Sequence, residues 1–272
     1  MNPLLLNYHD ACIYKSDLCL VETPTEWLND ACINFQMTRL QQKHNATTRR
    51  ANEGGDGGPL LFLDPAVVSY MMHQCDEDDL ADLGRSWSTD LQRMVDDIND
   101  SGDGCQLCGL LVPVNDHNAA AELAVGGGNH WSMLLVVLSH SKAGEGGKCE
   151  VDQLMHFDSH GRCNATAAKA VSSKICRAFS LYNDNNATAT PPNKVTLTHC
   201  STPQQTNGHD CGIFALGAAE ALSKHWRGGK IAAQDMENAL KSFVSASGGD
   251  EFAKKMRQKI GRDIRDLAAT TQ

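Results

Sequence analysis

HWSMLLVVLSHSKAGEGGKCEVDQLMHFDSH, residues 130–160, holds two apolar runs separated by a glycine-rich break. In the first, Met133 to Leu138 is apolar at every position, the pattern of a strand covered by helices on both faces. The second run, Gln153 to Asp158, reads as a strand that ends on a carboxylate. Between them, Lys142-Ala143-Gly144-Glu145-Gly146-Gly147 suits a reversal of direction, so an antiparallel pair is the economical arrangement. A reversal centred on Gly144 sets His130, at the start of one strand, opposite Asp158, at the end of the next, to within a residue or two if a bulge intervenes. A carboxylate beside an imidazole holds its tautomer and favours its charged form. Taken alone, such a pair favours a structural polar contact at a sheet edge over catalysis.

Further strand candidates are Leu107 to Val114 and Val195 to Thr198. Helical periodicity surrounds them. Asp30 is read as the N-cap of Ala31 to Gln42, with Ile33, Met37 and Leu40 on one stripe. Asp64 and Pro65 supply a cap and a first-turn proline for a helix through Met71, Met72 and Cys75. Thr89 to Asn99, Ala165 to Tyr182 and Glu251 to Ala269 carry comparable stripes, all accounted for by core packing. The class expected is therefore α+β, a central mixed sheet flanked by helices. At 272 residues one core suffices, and the chain is read as a single domain over 1–272 with surface insertions at 44–59 and 183–193. There is no internal repeat.

Composition narrows the function. Hydrophobic residues make up 41%, which excludes global disorder, and no apolar run nears the roughly 20 residues of a membrane span. The start, Met1 to Cys12, lacks the pattern of a signal peptide, so the protein is expected to be soluble and intracellular. With 33 acidic and 24 basic residues the formal charge is −9, and no basic stripe offers itself to phosphates. Nucleic acid and membrane are thus not the expected partners. Eleven cysteines, odd in number and scattered, read as reduced thiols rather than a disulfide framework. The sequons at Asn45, Asn164 and Asn186 are read as chance.

A third element bears on the His130–Asp158 pair. Thr206-Asn207-Gly208-His209-Asp210 is turn chemistry, and from Cys211 onward Phe214, Ala218 and Leu222 recur at helical period. Cys211 therefore opens a helix, where unpaired N–H groups and the positive dipole end favour a thiolate. Thiolate, imidazole and carboxylate together make a nucleophile, a proton shuttle and its orienter, the set for acyl transfer. Gln205, six residues before Cys211, offers an amide donor for the developing oxyanion, with the backbone N–H of Cys211 beside it. Gln204 is the less favoured neighbour.

His130-Trp131-Ser132, Phe157-Asp158-Ser159 and Gln204-Gln205-Thr206-Asn207-Gly208-His209-Asp210-Cys211-Gly212 resemble, in order, the signature blocks of the ubiquitin-like-specific cysteine proteases, the sentrin-specific and adenoviral-proteinase-like group. Ser16-Asp17-Leu18 and Trp27-Leu28-Asn29-Asp30 resemble the family's N-terminal substrate-binding segment. Leu110 to Asp116, the lead Gly126-Gly127-Gly128-Asn129 and Asp158-Ser159-His160 are most similar to the deneddylase branch. The resemblance implies a papain-like-clan fold, with Cys211 as nucleophile, His130 as general base, Asp158 as its partner and Gln205 as oxyanion donor. It implies that Trp27 and Trp131 bracket a modifier's diglycine tail, with Asn29 and Asp30 beside it. It further implies the neddylation modifier as first partner and SUMO as second, conjugates such as cullin-type substrates, a monomer in cytoplasm or nucleus, and no cofactor or metal. Without the family, Trp27 reads equally well as a packed aromatic and Asp30 as a cap.

Phe157 stands where the family favours another aromatic, and His209 is unusual so near the nucleophile; it is read as a turn residue. Cys105-Gln106-Leu107-Cys108 has no second pair at metal spacing, so ordinary thiols are expected there. His199-Cys200 and His73 with Cys75 are read as packing, and Asp76-Glu77-Asp78-Asp79 as a solvated helix end. Outside the hydrolase reading stand a catalytically silent modifier-binding module and an acyltransferase on a related scaffold. The presence together of Cys, His, Asp and Gln favours the enzyme.

Overall fold

Strand β5 (Trp131–Ser141) is the axis of the molecule, because its side chains are claimed alternately by two cores. Met133, Leu135 and Val137 enter one, and Leu134, Val136 and Leu138 the other, each at 1% exposure or less. This is why the run is apolar at successive positions. The computed structural model describes residues 2–50, 58–98, 106–119, 130–141, 148–183, 195–228, 231–245 and 248–271. Around β5 lie β3 (Leu60–Phe62), β4 (Gln106–Asn115), β6 (Lys148–Phe157) and β7 (Leu197–Cys200), in the sheet order β3-β4-β5-β6-β7. The outer pairs, β3 with β4 and β6 with β7, are parallel, and the inner two are antiparallel. The α+β class with a mixed central sheet is thus what the structure has.

Helices α3 (Pro65–His73), α4 (Glu77–Ile98) and α5 (Ala165–Asn183) build one core against the sheet. Helices α2 (Asp30–Arg50), α6 (Cys211–His225), α7 (Ala233–Ser245) and α8 (Gly249–Thr271) build the other. A two-stranded hairpin, β1 (Leu4–Tyr8) and β2 (Ala11–Tyr14), and helix α1 (Lys15–Glu22) close that side. The hairpin turns on His9 and Asp10, both at positive φ. Neither β1–β2 nor α7 was expected from the sequence, and the turn lacks the Asn-Gly or Asp-Gly pair that announces a tight hairpin.

Several boundaries move. Asn29, not Asp30, caps α2: its side-chain oxygen accepts from Cys32 N–H at 3.0 Å and its carbonyl from Ile33 N–H at 3.1 Å. The helix also runs beyond Gln42 to Arg50, into the stretch expected to be loop from 44. Thr47 and Thr48 return their hydroxyls to the carbonyls of Lys43 and His44, and His44 reaches the Gly58 carbonyl at 3.0 Å. The acidic run opens α4 as a reciprocal cap between Asp76 and Asp79, and Asp64 caps α3 through Ala66 N–H at 2.7 Å. Met133 faces Phe157 where a reversal symmetric about Gly144 would put Met155, and an irregularity between Val137 and Leu138 takes up part of the difference. The reversal itself, Cys105, the Gly126–Asn129 lead and residues 184–193 lie outside the described residues. Among the described residues no helix is long and apolar enough to cross a membrane.

Helix α6 runs through the second core with Cys211 to Leu222 all buried, and Gly217 lets α8 approach, since a Cβ there would drive into the Phe252 ring. Replacing Gly217 by Ala gains about 1 kcal/mol of helix propensity but incurs overpacking of roughly 1–3 kcal/mol. The net sign is expected to be destabilising. Chemical denaturation of G217A should show a lower midpoint than the wild type, and adding Phe252→Leu should return part of the loss.

Candidate active site

The open end of the β5–β6 pair gathers the residues singled out from the sequence. His130, the residue before β5, sets Nε2 2.6 Å from Oδ1 of Asp158, the residue after β6. The register of β5 and β6 therefore delivers the pair even though its sum is displaced from a perfect reversal. Cys211, at the start of α6, hydrogen-bonds His130. With Nε2 engaged by Asp158, Nδ1 is the ring nitrogen left for the thiol.

Asp158 is 3% exposed and takes protein donors in place of water. Besides His130, Oδ1 accepts from His160 N–H at 2.9 Å and Oδ2 from Asn164 N–H at 3.0 Å. Burial alone would raise the carboxyl, but these hydrogen bonds and the imidazolium charge outweigh it and hold Asp158 down at about 2. For His130, burial opposes the charged ring, while hydrogen bonds to Asp158 and Cys211 and the charges of both push it up to about 10.

Behind this pair stands a polar cluster that the sequence did not announce. Asn164, wholly buried, donates its amide to the carbonyls of Val114 and His130 at 3.1 and 3.0 Å and to Ser132 Oγ at 3.0 Å. Its backbone N–H serves Asp158, so one residue fixes both partners of the pair. Ser132 Oγ lies 2.9 Å from His156 Nε2, whose Nδ1 lies 3.0 Å from His199 Nδ1. Burial, with smaller contributions from the other two imidazoles against the pull of Asp158, lowers His156 to about 4. His199 is thus part of this cluster rather than simple packing. The one signal Asn164 carries in the sequence is that of an Asn at a helix start, which says nothing of carbonyls on distant strands.

The two glutamines divide. Gln205 accepts from Ser159 Oγ at 2.7 Å through Oε1 and donates Nε2 to the Asn207 carbonyl at 2.6 Å, so its amide lies in the turn that leads to Cys211. Gln204 instead braces the Asp158 loop, accepting from Gly161 N–H at 2.6 Å and donating to the carbonyl oxygens of Asp158 and Thr202.

Trp27 is 43% exposed, so it is not the packed aromatic that its position before a helix allowed. Trp131 is 5% exposed and donates Nε1–H to the Leu28 carbonyl at 3.0 Å, fastening the segment that carries Trp27. Gly212 permits this approach, since a Cβ there would stand 3.1 Å from Leu28 Cβ and 3.4 Å from Trp131 Cδ1. Asn29 is anchored by Asp17, whose Oδ1 accepts from its Nδ2 at 2.8 Å; Asn29 and Asp30 are both exposed. Among the described residues no cluster of three His, Cys, Asp or Glu could hold a metal, and none of the ten described cysteines is in a disulfide. Cys108 lies buried in β4.

Residues 110–244 match the family model described as Ulp1 protease family, C-terminal catalytic domain. NEDD8-specific protease 1 of Arabidopsis thaliana is 26% identical over 232 residues, 85% of this chain and 80% of that protein. Sentrin-specific protease 8 of Homo sapiens is 23% identical over 228 residues, covering 83% and 84% respectively. Among solved structures, the yeast Ulp1 protease domain in complex with Smt3, the yeast ortholog of SUMO, superposes with a TM-score of 0.52 at 18% identity over 98% of this chain and 89% of that one. A de-sumoylating protease gives 0.54 at 11% identity over 95% and 89%. At these identities the structural likeness speaks to the fold.

The stabilising effect of the charged pair has a defined pH window. His130, raised from 6.5, contributes fully below pH 6.5, and that contribution is lost as pH rises through about 10. Asp158, lowered from 3.8, contributes fully above that value, and its share is lost as pH falls through about 2. In Asp158→Asn the carboxylate charge disappears while burial of the ring persists. An imidazole titration followed by NMR should then place His130 well below its wild-type midpoint; an unchanged midpoint would mean that Asp158 does not hold the charge.

Proposed function

The chain belongs to the Ulp1 protease family, whose catalytic domain its residues 110–244 match, and on that premise we propose that it cleaves after the C-terminal diglycine of the neddylation modifier. The chemistry is that of a cysteine peptidase. The observation that carries the reading is the meeting of Cys211, His130 and Asp158 at the mouth of β5 and β6, in a chain whose relatives include a NEDD8-specific protease.

In this reading the thiolate of Cys211 attacks the carbonyl carbon of the terminal glycine, and negative charge develops on its oxygen. The backbone N–H of Cys211 and the amide of Gln205 receive that charge. The carbon–nitrogen bond then breaks, and His130 gives its proton to the departing amine. A thioester remains between modifier and enzyme. His130 takes a proton from water, the hydroxide displaces sulfur, and the modifier leaves with a free carboxylate. Asp158 keeps the ring oriented throughout and stabilises it whenever it carries the proton.

In this reading the exposed indole of Trp27 and the fixed one of Trp131 flank the tail on its way to Cys211. A tail that passes between aromatic faces must be narrow, which glycine alone satisfies. Asn29 and Asp30, exposed on the same segment, contact the tail or the modifier body. Conjugates of the modifier, cullin-type ones among them, would be the natural substrates, met by a monomer in the cytoplasm or nucleus. None of the ten described cysteines is in a disulfide, which fits a reducing compartment.

A panel of ubiquitin-like modifiers bearing a thiol-reactive C-terminal group tests this directly. The expected result is a covalent adduct on Cys211 with the neddylation modifier and weaker or no adducts with SUMO and ubiquitin. Cys211→Ala should form none and lose turnover by ~10³-fold or more, while Trp27→Ala should raise KM about tenfold with a smaller change in kcat. A preferred adduct with SUMO would redirect the specificity, and non-covalent binding with no adduct at all would sink the hydrolase reading.

A further inference from the structure

Arg257, on α8, lies beyond the stretch that matches the family model, yet it is 5% exposed and all its donor nitrogens are engaged. Nε and Nη2 donate to Asp210 Oδ1 at 3.1 and 2.9 Å. Nη1 donates to the carbonyls of Leu20 at 2.9 Å and Thr23 at 3.2 Å, with Val21 at 3.4 Å, and Nη2 to that of Glu26 at 2.6 Å. The guanidinium therefore joins two places that are distant along the chain. One is the C-terminal end of α1 and the segment leading to Trp27. The other is the residue immediately before Cys211.

Both ends of this clamp have a physical rationale. The last carbonyls of a helix lack intrahelical partners and carry the negative end of its dipole, so a buried cation there satisfies them. Asp210 is 5% exposed, and its carboxylate next to the nucleophile disfavours a second negative charge on sulfur unless a cation answers it. Arg257 is that cation. Asp210 has two further neighbours on the turn itself: Asn207 donates Nδ2 to Oδ2 at 2.9 Å, and His209 Nε2 lies 3.9 Å from the same oxygen. A fork with planar, divergent donors is needed to reach carboxylate and carbonyls at once, which a lysine cannot do.

We infer that Arg257 is a positioning residue that sets the Trp27 segment against the Cys211 helix and neutralises the carboxylate beside the nucleophile. The inference rests on the proposed function for its substrate half alone. A buried ion pair is in itself weak evidence of stability, and the expectation here is for effects on substrate binding and thiol reactivity that exceed any change in the folded fraction.

Two readouts separate the halves, each taken per folded molecule. The first is kcat and KM on a modifier carrying a C-terminal fluorophore; the second, free of modifier, is the alkylation rate of Cys211 by iodoacetamide at pH 7, followed by mass spectrometry of its peptide. In Arg257→Met, KM should rise about tenfold or more and alkylation should slow several-fold. Arg257→Lys keeps the charge and loses the fork, so alkylation should stay near wild type while KM remains raised. Arg257→Met with Asp210→Asn removes the unanswered charge: alkylation should recover and KM should not. The inference fails if all three variants lie within about twofold of wild type in both readouts. It fails too if KM is unchanged in R257K, the variant that decides the matter should R257M not fold. A wild-type protein that is alkylated normally at Cys211 yet cleaves no modifier would overturn the proposed function, and the alkylation arm would still decide the charge half.

Discussion

A carboxylate withdrawn from water must be answered by protein donors, and Asp158 imposes that constraint on everything around it. Its two oxygens collect the imidazole of His130 and the backbone N–H groups of His160 and Asn164. Its own carbonyl accepts the Thr202 hydroxyl and the Gln204 amide, so the segment before α6 is drawn in as well. Strand pairing, the turn after β6 and the approach to the nucleophile are therefore solved together. Removing solvent here raises the cost of a charge, and the hydrogen-bonded donors turn that cost into a fixed orientation.

The side chains of the proposed catalytic set sit at the ends of regular elements rather than in loops of their own: His130 before β5, Asp158 after β6, Cys211 at the first turn of α6. Rigid elements hold such a constellation more tightly than loops would. The segment proposed for recognition is built differently. Trp27 stands on an irregular segment, and that segment is held at one end by Asp17 through Asn29, at its middle by Trp131 through Leu28, and at its start by Arg257. Irregular chain gains precision here by being tied at several points.

What was legible in the sequence follows from locality. The six-residue run Met133 to Leu138 declared a doubly covered strand because burial on both faces leaves no polar position. The pair His130 and Asp158 followed from the strand order alone, since a shift of register by a residue or two leaves the strand ends together. Cys211 was legible as a helix start, because Gly208 and Asp210 mark the turn and the helical repeat follows. Arg257 was not legible, being a polar residue on an amphipathic helix whose carbonyl partners lie more than 200 positions earlier and whose carboxylate partner lies 47 earlier. Asn164 escaped for a related reason: its amide answers carbonyls on β4 and before β5, and nothing in the chain near it records that need. Asn29 and Asp30 were confused as caps because both residue types suit the position, and only the aim of the side chain distinguishes them.

The guanidinium buried between α1 and Asp210 also bears on how the protein answers to salt. Mobile ions weaken attractions between groups bathed in water, over a Debye length of about 8 Å at physiological ionic strength, but they do not penetrate a cluster shut off from solvent. The internal geometry is thus insulated from the medium. Dependence on ionic strength then belongs to the encounter alone, in which a chain of formal charge −9 meets its partner across open solution.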